Sequence, residues 1–257
     1  MFEMRKSRTL EMLRAGKPVF SVKLNTADPR VAELAALLDI PCIWVDTEHT
    51  PNDNRITEQQ IYAAKAHNVD ILARVPRGSY SDYIHPLEMD AAGIMVPHIM
   101  SVEDAKNVVK MTRFYPVGRR PVDGGNADGL YCLLGQAEYN RQANANRFTV
   151  FQIEDPEAME QVDEIAAVPG YDILFFGPGD YSHSIGHSGE FDHPDVVAGF
   201  EKVAAAARKH GKFAGTVGGI ANARERIDMG YQFLNLGSDV AALGNYFKQI
   251  SEFIHNF

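Results

Sequence analysis

Short β-rich runs alternate with stretches of helical period along the whole chain. The runs predict strands over residues 19–24, 42–46, 71–75, 94–97, 149–153, 173–176, 213–216 and 233–236. The run Ile173-Leu174-Phe175-Phe176 has no polar alternation, and at this length that suits a strand buried on both faces, as in a parallel sheet. Between the runs lie segments with apolar residues at helical spacing: RVAELAALL, TEQQIYAAKAH, YSDYIHPLEMD, SVEDAKNVVKMTRF, PEAMEQVDEIAAV, PDVVAGFEKVAAAARKHG, NARERIDMG and SDVAALGNYFKQISEFI. Start signals agree, with Ser101 ahead of Glu103 and Asp104 and with Asp155-Pro156 ahead of an apolar periodic run. Eight strand–helix units predict an α/β protein of the (β/α)8 type, a TIM barrel.

A doubly wound sheet usually has fewer strands, and its nucleotide-binding forms carry GxGxxG after the first strand; here that turn reads NTADPR. The expected organisation is one barrel domain over residues 1–257, interrupted by a long inserted loop at about 114–147. That loop, rich in Gly, Asn and Arg, is of the length that often serves as a functional loop or lid.

Composition narrows the function. With 45% hydrophobic and 23% charged residues and a net charge of −9, the chain reads as an ordinary folded domain without the basic face of a nucleic-acid binder. Cys42 and Cys132 lack CxxC spacing, so neither a disulfide framework nor a zinc knuckle is expected, and a reducing compartment is. The segment MFEMRKSRTLEML has no uninterrupted apolar core of a signal peptide. No stretch approaches the roughly 20 apolar residues that cross a bilayer. The expectation is a cytoplasmic protein with no membrane and no nucleic-acid partner.

In a barrel of this kind the active site forms at the carboxyl ends of the strands. After the second strand comes DTEHTPND with Asp46, Glu48 and His49; the third contains Arg74; the fifth ends in FQIEDPE with Gln152 and Glu154; the sixth ends in GPGD with Gly179 and Asp180. Glu154 and Asp155 are also what a helix N-terminus favours. Neighbouring strands, however, bring Glu154 and Asp180 side by side, where two carboxylates repel unless a proton or cation separates them. An oxygen-preferring ion such as Mg²⁺ or Mn²⁺ fits such a pair. His49 is the strongest candidate base, since histidine titrates near neutrality. Arg74 within a strand is costly unless its charge is used, in an ion pair or on an anionic substrate. No lysine stands at a predicted carboxyl strand end, and Lys23 falls within the first strand.

Over TADPRVAELAALLDIPCIWVDTEHTPND, ARVPRG, LEMDAAGIMVPHIMSVEDAKNVV, FQIEDPEAMEQVDEIAAVPGYDILFFGPGDYSHSIG and, more loosely, GYQFLNLGSDVAAL, the chain resembles the HpcH/HpaI-type metal-dependent pyruvate aldolases. These are typified by 4-hydroxy-2-oxoheptanedioate aldolase and include aldolases of 2-keto-3-deoxy sugar acids. The resemblance implies a class II aldolase, a carbon–carbon lyase that reversibly cleaves a 4-hydroxy-2-oxoacid to pyruvate and an aldehyde through a metal-stabilised enolate. It implies Glu154 and Asp180 as ligands of a divalent metal, Mg²⁺ or Mn²⁺ with Co²⁺ and Zn²⁺ as further options. Gln152 is implied beside them, on the substrate or a metal-bound water. Arg74 is implied at the oxo group and the developing enolate oxygen, and His49 as general base or acid acting through water. Glu88 takes the place of the acid that orients this histidine across a subunit boundary, and the backbone at Gly179 and Asp180 is implied to hold the pyruvate carboxylate. A homo-oligomer, hexamer or trimer, with an exchanged C-terminal helix is implied as well. The run GRRPVDGGNADGLYC, His183 and the TVGG at 216–219 depart from the family pattern, and all three bear on the aldehyde side of the pocket.

Three rivals remain. A malyl-CoA or citramalyl-CoA type lyase shares enolate chemistry but needs a basic groove, for which Arg113, Arg119, Arg120, Arg141 and Arg147 are the available cations. A non-catalytic metal-binding oligomer is the second. A sugar-phosphate isomerase is the third, suggested by Gly218-Gly219 and Gly237-Ser238 after strands seven and eight.

Overall fold

A computed structural model describes residues 2–257. Eight parallel strands, β1 (Val19–Leu24), β2 (Cys42–Asp46), β3 (Asp70–Arg74), β4 (Gly93–Val96), β5 (Phe148–Ile153), β6 (Ile173–Phe176), β7 (Phe213–Val217) and β8 (Phe233–Ser238), pair in chain order. The barrel closes where Val19 and Phe20 of β1 meet Phe233 and Leu234 of β8. This is the (β/α)8 architecture that the alternation predicts. The strands agree to within two residues at each end, and β6 is wholly buried.

Alternate side chains divide the barrel into an inside and an outside. Cys42, Trp44, Leu72, Val150, Ile173, Phe175 and Phe233 fill the interior, while Ile43, Val45, Ile71 and Ala73 face the surrounding helices. These are α2 (Pro29–Leu37), α3 (Asn54–Lys65), α4 (Tyr80–Glu88), α5 (Val102–Thr112) and the helices after β5 to β8. Asp28, Asp53 and Ser101 cap α2, α3 and α5 by accepting backbone N–H bonds, which satisfies donors the first helical turn leaves open.

Three helices were not evident from periodicity. One is α1 (Arg8–Arg14), which closes the amino-terminal end of the barrel. Its Leu10 and Leu13 join the interior cluster, and Asp70 at the start of β3 accepts bonds from Arg5 at 2.7 Å, Ser7 Oγ at 2.7 Å and the Thr9 amide at 2.8 Å. The other two are α6 (Gln136–Asn146) and, past the predicted PEAMEQVDEIAAV helix, α9 (Pro178–Ser184). The PEAMEQVDEIAAV segment itself breaks at Gln161 into α7 (Pro156–Glu160) and α8 (Val162–Ala166). Then follow α10 (Pro194–Lys209), α11 (Ala223–Asp228) and α12 (Asp239–His255).

The inserted segment 114–147 is a folded unit. It carries a 3-10 turn at Ala127–Gly129 and helix α6 around a small core of Phe114, Leu134, Tyr139 and Ala143. Buried Arg120 donates to Asp128 at 2.9 Å and lies over the Phe114 ring, and the Tyr139 hydroxyl donates to Asp128 at 2.8 Å. The unit lies against α3 and α4, where Tyr131 meets Tyr62.

No residue of α12 is buried. Val240, Leu243, Phe247, Ile250 and Ile254 face solvent. Beside β1 and α2 a groove of about 500 Å³ lined by Val22, Val31, Leu34, Leu38 and Leu236 stands open. No helix among the described residues is long and apolar enough to cross a membrane.

Because Leu10 is 1% exposed in the barrel floor, Leu10→Ala should lower unfolding free energy by about 2–5 kcal/mol, read from urea denaturation. A loss below about 1 kcal/mol would mean that α1 is not part of the core.

Candidate active site

The pairing register sets Asp46, the last residue of β2, against Arg74, the last of β3. Asp46 is fully buried. Arg74 grips it with Nε 3.1 Å from Oδ1 and Nη2 2.6 Å from Oδ2, and Lys23 reaches in from β1 with Nζ 2.7 Å from Oδ2. Both cations lie over the Trp44 ring. Burial alone would raise the Asp46 pKa, but the bonds and charges of Arg74 and Lys23 outweigh it and hold this carboxyl far below the usual range. Arg74 Nε also lies 3.1 Å from Glu48 Oε2. The charge of Arg74 is thus used in an ion pair, one of the two uses open from sequence, and Nη1 keeps no protein partner among the described residues. Lys23 corrects an expectation. Its backbone is within a strand, but the long side chain carries Nζ up to the site, where it forms an ion pair with Asp46.

Across the mouth, β5 runs on into Glu154, which is 1% exposed. One carboxylate oxygen accepts from Gln152 Nε2, and the other accepts the His98 N–H at 3.0 Å. Burial raises the Glu154 pKa to about 7; Asp180 adds to the rise, while His98 and Arg74 oppose it. Gly177 at the end of β6 is required by space, because a Cβ there would lie 2.5 Å from Glu154 Oε2. Pro178 then starts α9, so Gly179 and Asp180 stand in its first turn, exposed, with N–H groups that the helix does not use. The alternative that Glu154 and Asp155 cap the next helix does not hold, since Asp155 makes no side-chain cap bond and turns to His98 instead.

His98, just past β4, was missed by sequence reasoning although it follows a strand end like the residues that were found. It adopts a left-handed backbone with φ 50°, uncommon for a residue with a side chain. That turn aims its N–H at Glu154 and its Nδ1 at Asp155 Oδ2, 3.0 Å away. Burial would lower the His98 pKa, but Asp155, Glu154 and Glu48 together raise it.

His49 stands at the rim with its side chain 59% exposed and Nε2 3.4 Å from Glu48 Oε2. Glu88 is not brought to it within this chain. It ends α4 and shares a depression with Asn126, Ala127 and Tyr131, where burial raises its pKa.

The mouth fits a hard divalent cation on the chemistry of its donors. Glu154 and Asp180 supply oxygens, and Gln152 Oε1 is buried with no hydrogen-bond partner, a carbonyl oxygen of the kind such ions accept. Four of the five arginines that could line a basic groove for a CoA thioester are committed to carboxylates. Arg113 pairs with Asp172, Arg120 with Asp128, Arg141 with Glu138 and Arg147 with Asp90, leaving Arg119 exposed beyond α5.

A parallel barrel with opposed charges gathered at its carboxyl mouth is the build of a barrel enzyme. A sequence profile for the HpcH/HpaI aldolase/citrate lyase family matches residues 21–245, and the chain belongs to that family. Hydroxypyruvate/pyruvate aldolase of Paraburkholderia phytofirmans is 32% identical over 234 residues, covering 89% of this chain and 90% of that one. A 5-keto-4-deoxy-D-glucarate aldolase of Salmonella paratyphi C is 31% identical over 217 residues, covering 84% of each. The solved HpcH/HpaI aldolase of Desulfitobacterium hafniense aligns with a TM-score of 0.91 at 30% identity, covering 96% of both chains. The protein is a carbon–carbon lyase of the aldolase type.

The raised Glu154 pKa has a consequence for stability. Between the ordinary carboxyl value of 4.5 and about 7 the folded chain holds a proton that the unfolded chain has lost. Stability of the metal-free protein therefore falls as pH rises through that window, by up to about 3 kcal/mol. In urea titrations of chelator-treated protein, Glu154→Gln should remove this fall. Equal pH slopes in both proteins would rule out the buried proton.

Proposed function

We propose that the protein is a class II aldolase that reversibly cleaves a 4-hydroxy-2-oxoacid into pyruvate and an aldehyde by way of the pyruvate enolate. The observation that carries this reading is the buried Glu154, poorly neutralised and beside Asp180, facing Arg74. Glu154 and Asp180 would hold a divalent cation, Mg²⁺ or Mn²⁺ by their oxygen donors, which when bound supplies Lewis-acid polarisation of the oxo group.

This chain's own groups supply the rest. The unused first-turn amides of Gly179 and Asp180 suit the substrate carboxylate. Gln152, held by its bond to Glu154, offers the unpaired Oε1 to the substrate or to a water. Arg74 is clamped by Asp46 on two atoms, so Nη1 meets the oxo oxygen without reorganisation, and its charge counts most as the enolate forms. His49 at the rim, with Glu48 beside it, moves the proton through water. We assign Glu88 the orienting role for His49 of an adjacent copy. The two unpaired cysteines, Cys42 buried and Cys132 exposed, support a cytoplasmic setting.

Assembly belongs to the same proposal. The exposed apolar residues of α12 recur at helical spacing, and the groove beside β1 and α2 lies where the eighth helix of the ring would pack. A homo-oligomer, hexamer or trimer, in which α12 fills a neighbour's groove satisfies both.

Protein reloaded with Mg²⁺ or Mn²⁺ should exchange the methyl protons of pyruvate in D₂O, followed by NMR, and Glu154→Gln should lose at least about 100-fold of that rate. No exchange with either metal would remove pyruvate as the nucleophile this site activates. Separately, Phe247→Asp with Ile250→Asp, both at exposed positions, should lower the mass measured by light scattering to that of one chain; an unchanged mass would rule out assembly through α12.

A further inference from the structure

We propose a second metal site, of the imidazole-preferring transition-metal class, in the connection between α9 and α10. His187, His193 and Asp195 each bring one donor atom to within 4.8 Å of the others. The two imidazoles stack, with centroids 3.4 Å apart and planes inclined by 19°. Two carboxylates flank them: Glu190 Oε2 lies 3.4 Å from His187 Nδ1, and Asp195 Oδ2 lies 3.8 Å from His193 Nδ1.

The backbone holds this arrangement in place. Ser182 of α9 accepts the His187 N–H at 2.8 Å through its carbonyl and the Gly189 N–H at 3.1 Å through its hydroxyl. The Glu190 and His193 amides close successive turns onto His187 and Glu190. His193 Nδ1 accepts the Asp195 N–H at 3.3 Å, a cap bond that a metal ligated through this nitrogen would replace. Drawing donors that all lie within 4.8 Å of one another to the ~3.4 Å edge of a tetrahedron with bonds of about 2.1 Å needs side-chain rotations that unstack the two rings, and none of the four residues is buried.

Two imidazole nitrogens with carboxylate oxygens select Zn²⁺, Ni²⁺, Co²⁺ or Cu²⁺ over Mg²⁺ or Ca²⁺. The donor set thus differs from the all-oxygen set of the barrel mouth. The amino-terminal end of α10 disfavours a cation, and Glu190 and Asp195 offset that. A metal here would pin the chain leaving α9, whose first turn carries Asp180, to the start of α10. The site stands whether or not the mouth is an aldolase centre.

The test uses full-length Glu154→Gln protein, which lacks the buried carboxylate of the proposed mouth metal site, dialysed against Zn²⁺ at about pH 7.5, where imidazole is mostly unprotonated. One equivalent of zinc should be retained in the presence of excess Mg²⁺, and Co²⁺ loading should give the visible absorption of a four-coordinate site. His187→Ala and His193→Ala should each weaken zinc binding by at least about tenfold, with a native circular dichroism spectrum. Zinc retained unchanged by the double variant, or no zinc retained by the parent, would overturn the proposal.

Discussion

A carboxyl sealed from water must either keep its proton or be matched by positive charge, and Asp46 is matched twice over. Arg74 and Lys23 converge on it above the Trp44 ring, and neither cation would be tolerated inside a barrel without it. The clamp fixes the guanidinium in one orientation before any ligand arrives. Across the mouth Glu154 has the opposite character, since its neighbours are an amide, a backbone N–H, a histidine and a second carboxylate. One wall is fully neutralised and the other is short of positive charge. That difference makes the Glu154 side of the mouth the place where the proposed cation would sit.

Much of this was legible in the chain. Strand positions followed from runs such as Ile173 to Phe176, because a strand buried on both faces needs an unbroken apolar stretch and little else meets that description at four residues. Strand ends then pointed to Arg74, Gln152, Glu154 and Asp180. What stayed hidden depends on side-chain reach and backbone torsion. The Cα of Lys23 lies short of the strand end, yet its stem carries Nζ to Asp46. His98 owes its place to a left-handed turn that period-based reading does not detect. Helices α1 and α6 are short or polar and are held by tertiary contacts, Leu10 and Leu13 in the floor and Tyr139 on Arg120.

The arginines show how charge is read differently with and without a fold. Counted along the chain, Arg113, Arg120, Arg141 and Arg147 offer a basic surface. In space each is paired with its own carboxylate, and Arg113 and Arg147 serve the lower rim by holding Asp172 and Asp90. Cations committed in this way have little field left for a phosphate.

The acids at that lower rim, Asp70, Asp90 and Asp172, stand at or shortly before the beginnings of strands, whereas Asp46, Glu154 and Asp180 stand at or beyond their ends. Each set has its own partners, separated by the length of a strand and by the packed interior of Trp44, Phe175 and Phe233. Heritable change at the mouth is thereby insulated from the foundation: a lineage can revise its loops one at a time while the barrel beneath keeps its capacity to fold.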